Sequence, residues 1–138
     1  MLSVSNVSSR QAENYYGVDD YYTQGQPTGF WYGKGSQELA LDGNVAPEQL
    51  NALLNGALPN GESIHQGSGQ KRAATDLTFS APKSVSIQAL IGNDQLLLAV
   101  QARAVKLALD YAESFIGART TVNGVTRFET TNNAVFAV

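Results

Sequence analysis

Apolar and polar positions largely alternate at the start of the chain. Leu2, Val4 and Val7 stand among serines and Asn6, which predicts a first β-strand over residues 2–7. Ser8 or Ser9 can N-cap a short helix running through Tyr16, with Gly17 placed to end it. Asp19 can cap a second short turn carrying Tyr21 and Tyr22. A glycine-rich stretch follows over 25–35 and encloses Phe30-Trp31-Tyr32. That aromatic run reads either as a core anchor beneath a loop or as a stacking surface for bases. A short helix is expected over 35–41, then a turn at Asp42-Gly43. Pro47 opens a helix to residue 55, with Leu50, Leu53 and Leu54 as its apolar stripe and Gly56 as its stop. Residues 60–73 are the most polar stretch and read as a loop with a small basic tip. A strand over 73–79 leads into a helix over 83–91, with Ser80 able to cap it, Pro82 at its first position and Gly92 as its stop. Asn93 is expected to cap a long helix to residue 116, with Gly117 after it. Leu97, Val100, Ala104, Leu107, Ala108, Tyr111 and Phe115 recur at helical spacing and are expected to be its core face. Asn123-Gly124 between residues 119–122 and 125–130 is a strong hairpin signal, and 134–138 begins another strand.

Composition narrows this picture. A chain of 138 residues makes one domain or part of one, and 43% hydrophobic with 15% charged residues is enough to build a core. The absence of cysteine excludes disulfides and thiolate metal sites. No basic leader precedes a long apolar run, and no stretch approaches the ~20 apolar residues of a membrane span, so the expected setting is cytoplasmic, without membrane insertion. The formal net charge of −3 and a pI of about 5.0 speak against generic nucleic-acid binding. Any contact with DNA must come from a local site.

The chemistry concentrates in two places. Four of the six tyrosines fall within Tyr15-Tyr16-Gly17-Val18-Asp19-Asp20-Tyr21-Tyr22. Such a cluster can be a core or interface feature, a platform for stacked bases, or a set of oxygen nucleophiles. The second place is Asp76. In a strand, Asp76, Thr78 and Ser80 share one face, and Leu77 and Phe79 share the other. Aspartate is disfavoured inside strands, so it is either an edge-strand surface residue or a group held for hydrogen bonding, metal support or proton transfer. Lys71 and Arg72 end the polar loop and are either solvated or candidate contacts to a phosphate backbone, with Lys83 as a third candidate. His65, the single histidine, reads as an exposed loop residue.

Together, Asn14-Tyr15-Tyr16, Asp20-Tyr21-Tyr22, Gly33-Lys34-Gly35, the run from Asp76 to Ser86 (DLTFSAPKSVS) and Thr130-Thr131-Asn132-Asn133 resemble the N-terminal part of conjugative relaxases of the TrwC/TraI (HUH-type) family. The resemblance covers the whole chain. It implies an α+β fold, an antiparallel β-sheet palm flanked by helices, of which residues 1–138 are the N-terminal portion. It implies site- and strand-specific nicking and rejoining of plasmid DNA at an origin of transfer, through a tyrosine linked to the 5′ phosphate. Tyr15 is then the first nucleophile and Tyr21 the candidate for a second transfer. Tyr16 and Tyr22 are their partners, and Asp76 supports the reacting groups. A divalent metal, Mg or Mn, is implied as cofactor, held by a histidine triad expected beyond Val138. The implied partners are single-stranded DNA at the origin of transfer and a C-terminal helicase or other relaxosome proteins. The rival reading is a relaxase-like module that binds single-stranded DNA without cutting it.

Overall fold

The computed structural model describes residues 1–8, 11, 29–64 and 72–138. The alternating start forms β1 (Leu2–Ser8), which pairs with β3 (Arg72–Phe79) in a two-stranded sheet. The pairing runs antiparallel. Ser80 N–H donates to Met1 O at 2.8 Å at one end, and Arg72 Nη1 donates to Asn6 Oδ1 at 3.5 Å at the other. Two further sheets, also of two strands, pair β2 (Trp31–Tyr32) with β6 (Phe136–Ala137) and β4 (Gly117–Val122) with β5 (Val125–Thr130). The chain divides into two units. One comprises Met1–Ser3 with Leu77–Asn133, the other Val4–Asp76 with Ala134–Val138.

In the unit that holds Val4–Asp76, the aromatic run is a strand rather than a loop anchor. Trp31 pairs with Ala137 and Tyr32 with Phe136, antiparallel. Trp31 is buried, and its indole N–H donates to Gln49 Oε1 at 3.3 Å, which satisfies its one polar atom. Buried in this way it is a core residue, not a surface for stacked bases. Phe30 and Tyr32 meet edge to face at 6.3 Å. Helix α1 (Lys34–Glu38) starts after Gly33, whose φ of 98° only glycine adopts at low cost. It is shorter than the pattern suggests because Ala40 turns into the left-handed region at φ 53°. Its buried Ser36 donates to Tyr32 O at 2.6 Å. Helix α2 (Pro47–Leu54) has proline at its first position and Gly56 (φ 82°) beyond its C-cap Asn55. Among the described residues of this unit, Leu41, Leu54 and Trp31 are the buried large apolar side chains.

In the other unit, α3 (Lys83–Leu90) packs on α4 (Gln95–Glu113). Two expectations fail here. The cap of α4 is Asp94, whose carboxylate accepts from Leu96 N–H and Leu97 N–H at 3.1 and 3.2 Å. Asn93 instead occupies the left-handed region at φ 52° and accepts from the Gln95 side chain. The expected core face is also rotated. Leu109 and Glu113 are buried, with Leu97, Gln101, Val105, Ala108 and Ala112 half-buried around them. Of the predicted stripe only Leu97 and Ala108 lie on that side, whereas Val100, Leu107, Tyr111 and Phe115 are exposed. The β4–β5 hairpin turns at Asn123 and Gly124, both at positive φ, as a two-residue primed turn requires.

No helix among the described residues is long and apolar enough to cross a membrane.

Candidate nucleic-acid processing site

Strand β3 carries the described part of the site. Its alternation follows the sequence reading: Asp76, Thr78 and Ser80 are exposed, and Leu77 and Phe79 are half-buried. With side chains alternating along a strand, Arg72 falls on the same side as Asp76, four residues and roughly 13 Å away. One face of β3 therefore presents a guanidinium at its start and a carboxylate at its middle. Asn6 of β1 meets the guanidinium from across the sheet. Sequence reasoning missed Asn6; its signal was its place among the alternating polar positions of the first strand.

The end of β1 carries a local pair of hydrogen bonds. Ser8 N–H donates to Gln11 Oε1 at 3.0 Å, and Gln11 N–H donates to Ser8 Oγ at 3.3 Å. This reciprocal pair has the hydrogen bonds of a capping box, with glutamine three residues after the serine, and Gln11 is helical. Ser8 therefore acts as a cap, and Ser9 lies outside the described residues. Tyr15, Tyr16, Tyr21 and Tyr22 lie outside the described residues, as do His65 and Lys71.

The start of the chain is tied to the same signature run. The α-amino group of Met1 donates to Ser80 O at 2.6 Å, alongside the Ser80 N–H bond to Met1 O. Ala81 and Pro82 follow, and the extended Pro82 (ψ 146°) serves as N-cap of α3, leaving Lys83 exposed as its first residue. Ser80 therefore closes the β1–β3 sheet instead of capping the helix.

Among the described residues no three histidine, cysteine, aspartate or glutamate side chains come together to hold a metal ion. Asp76 alone is no ligand set.

A family model described as TrwC relaxase matches residues 8–138. The multifunctional conjugation protein TraI of Escherichia coli strain K12 is 37% identical over 143 aligned residues, which span 100% of this chain and 8% of that protein. A solved structure of the conjugative relaxase TrwC in complex with oriT DNA, metal-free, matches with a TM-score of 0.86 at 37% identity, over 98% of this chain and 48% of the other. A copper-bound complex of TrwC with oriT DNA matches with a TM-score of 0.82 at 40% identity, over 98% and 49%. The chain thus spans about half the length of the solved relatives and a small part of the curated one. The fold is that of the TrwC relaxase, and with a family model matching from the last residue of β1 through β6 the chain belongs to the TrwC relaxase family.

Proposed function

We propose that residues 1–138 form the N-terminal portion of a relaxase domain that cuts and rejoins one DNA strand at an origin of transfer, and that Tyr15 supplies the first nucleophile. The observation that carries this reading is the family match across residues 8–138, which includes both the tyrosine pairs and Asp76. The named relatives support the substrate class, since the TrwC structures hold oriT DNA.

The chemistry balances without an external energy source. The Tyr15 hydroxyl loses its proton and its oxygen attacks the scissile phosphorus. The bond from phosphorus to the 3′ oxygen breaks, the 3′ oxygen takes up a proton, and the 5′ phosphate remains esterified to tyrosine. One phosphate ester replaces another, so attack by a 3′ hydroxyl can run the step backwards and reseal the strand. Asp76 acts as a positioning residue for the reacting groups. Tyr21 serves a second transfer, with Tyr16 and Tyr22 beside the two nucleophiles. Arg72, Lys71 and Lys83 contact the phosphate backbone, positioning the strand without reading its sequence.

TrwC has been solved metal-bound, copper-bound and metal-free. A divalent ion, Mg or Mn, belongs to the proposed activity of the complete protein. The described residues do not form its ligand set, so no step above is routed through it.

Tyr15→Phe, in a protein carrying the complete relaxase domain, is expected to abolish the covalent protein–DNA product on a denaturing gel. The ring remains and the attacking oxygen is gone. Tyr21→Phe is expected to leave the first cut largely intact. Undiminished product from Tyr15→Phe would move the nucleophile to another tyrosine.

A further inference from the structure

The sequence holds three Asn-Gly pairs: Asn55-Gly56, Asn60-Gly61 and Asn123-Gly124. Each sets a side-chain amide beside a backbone nitrogen that no following side chain shields. Attack of that nitrogen on the asparagine side-chain carbonyl carbon closes a succinimide ring. What separates the three pairs is how their reacting groups are held.

Asn55 is the C-cap of α2. Its Nδ2 donates to Asn51 O at 3.0 Å, and the Gly56 N–H donates to Leu53 O at 2.9 Å. Asn60 is held through both atoms of its amide. Nδ2 donates to Glu62 Oε2 and Oδ1 accepts from Glu62 N–H, each at 3.0 Å, while Gly61 N–H donates to Leu58 O at 3.0 Å. At both sites the amide and the attacking nitrogen are each tied to other groups. At the tip of the β4–β5 hairpin neither is tied. Among the described residues, the Asn123 side chain and the Gly124 N–H have no hydrogen-bond partner, and residues 122–126 are exposed. Space does not distinguish Gly61 from Gly124, since a Cβ built at either meets nothing within 4 Å. The hydrogen bonds do.

The turn also supplies the motion. Val122 pairs with Val125 across a two-residue loop, with φ 52° at Asn123 and 77° at Gly124, as in a type I′ turn. The other favoured two-residue loop, type II′, has the peptide between the central residues turned over, a rotation of about 150° about the Asn123 Cα–C bond. That bond carries the Gly124 nitrogen. The flip swings the nucleophile past the side chain while the strands stay paired.

We infer that Asn123 is where this protein spontaneously deamidates. The Gly124 nitrogen loses its proton and bonds to the side-chain carbonyl carbon. The bond from that carbon to Nδ2 breaks, and ammonia leaves with the proton. Water then opens the ring. Opening at the side-chain carbonyl leaves aspartate, and opening at the main-chain carbonyl leaves isoaspartate. Either product adds a negative charge at the hairpin tip, to a chain whose formal net charge is already −3. Isoaspartate also inserts a methylene into the backbone of the turn, one strand pair from Thr121 and Thr126, whose hydroxyls meet at 3.0 Å.

The test holds the whole protein folded in mildly alkaline buffer, samples it over days, and digests it at acid pH, where ring closure is slow. Peptide mass spectrometry follows the exchange of –NH2 for –OH at each asparagine. A second sample is held unfolded in guanidinium chloride, where the three pairs share one local chemistry and are expected to react at similar rates. In the folded protein Asn123 is expected to react about tenfold faster or more than Asn55 and Asn60, because two or more hydrogen bonds must first break at each of those. Aspartate and isoaspartate are both expected at position 123. Asn123→Gly keeps a residue suited to positive φ and removes the amide. The acidic band that grows with time on isoelectric focusing is expected to shrink to a small remainder in that variant. Asn55 or Asn60 reacting as fast as Asn123 in the folded protein overturns the proposal, as does an undiminished acidic band in Asn123→Gly. Aspartate without isoaspartate at position 123 overturns the ring route.

Discussion

Asp94 carries the start of the longest helix with a single carboxylate. It accepts the N–H groups of Leu96 and Leu97, two of the four donors that a helix start leaves without partners. Asp94→Ala is expected to cost about 1 kcal/mol, read as a lowered midpoint in chemical denaturation. Asn93→Gly is expected to leave stability within a few tenths of a kcal/mol or to raise it. At φ 52° a glycine avoids the steric penalty of a side chain. Loss of stability from Asn93→Ala but not from Asp94→Ala would return the cap to Asn93. The pattern of the sequence could not separate the two, because both are good caps and stand side by side. Only the backbone angle decides whose side-chain oxygen accepts from the helix N–H groups.

At the scale of elements, the β4–β5 hairpin shows what close approach requires. A Cβ added to Gly117 would lie 2.5 Å from Glu129 O and 2.5 Å from the tip of the Phe128 ring. The ring is exposed and can swing away, but the backbone oxygen cannot. Gly117→Ala is therefore expected to cost roughly 1–3 kcal/mol in thermal or denaturant unfolding. Adding Phe128→Ala should not restore the loss. Full rescue by the second change would place the clash in the ring alone. Most element types were legible beforehand: the hairpin from Asn123-Gly124, α2 from Pro47 and Gly56, and β3 from its alternation. The face of α4 was not. Apolar positions run around more than half of that helix, so periodicity finds the helix but not which apolar arc its own unit covers. The strand character of Trp31 was hidden as well. Its partner Ala137 lies at the far end of the chain, and no local pattern reports so distant a pairing.

At the scale of the whole molecule, the site is legible unevenly. Strand alternation put Asp76 on one face with Thr78 and Ser80, and in the structure that face is the exposed one. The roles of the tyrosines rest on the family reading, since those residues lie outside the described ones. The same reading gives a prediction for the 138-residue chain by itself. It has one histidine and no cysteine, and a divalent site for phosphoryl transfer needs several converging ligands. The chain alone, incubated with single-stranded oriT DNA and Mg²⁺ or Mn²⁺, is expected to give no covalent product on a denaturing gel. A tyrosine-linked product from this chain would overturn the assignment of metal-assisted chemistry to a complete domain.

The pairing of β2 with β6 bears on the order in which the protein can be made. Phe30 and Val138 exchange both backbone hydrogen bonds, at 2.9 and 3.0 Å, and Gly35 N–H reaches Ala134 O at 2.8 Å. These contacts join points roughly a hundred residues apart, a closure whose entropic cost is met only once both ends are free to meet. On a ribosome, the strand at Trp31 emerges early and waits for its partner until residues 134–138 have left the exit tunnel. The unit that leads into the tyrosine segment is therefore among the last parts of this chain to close, although its residues are among the first to be synthesised.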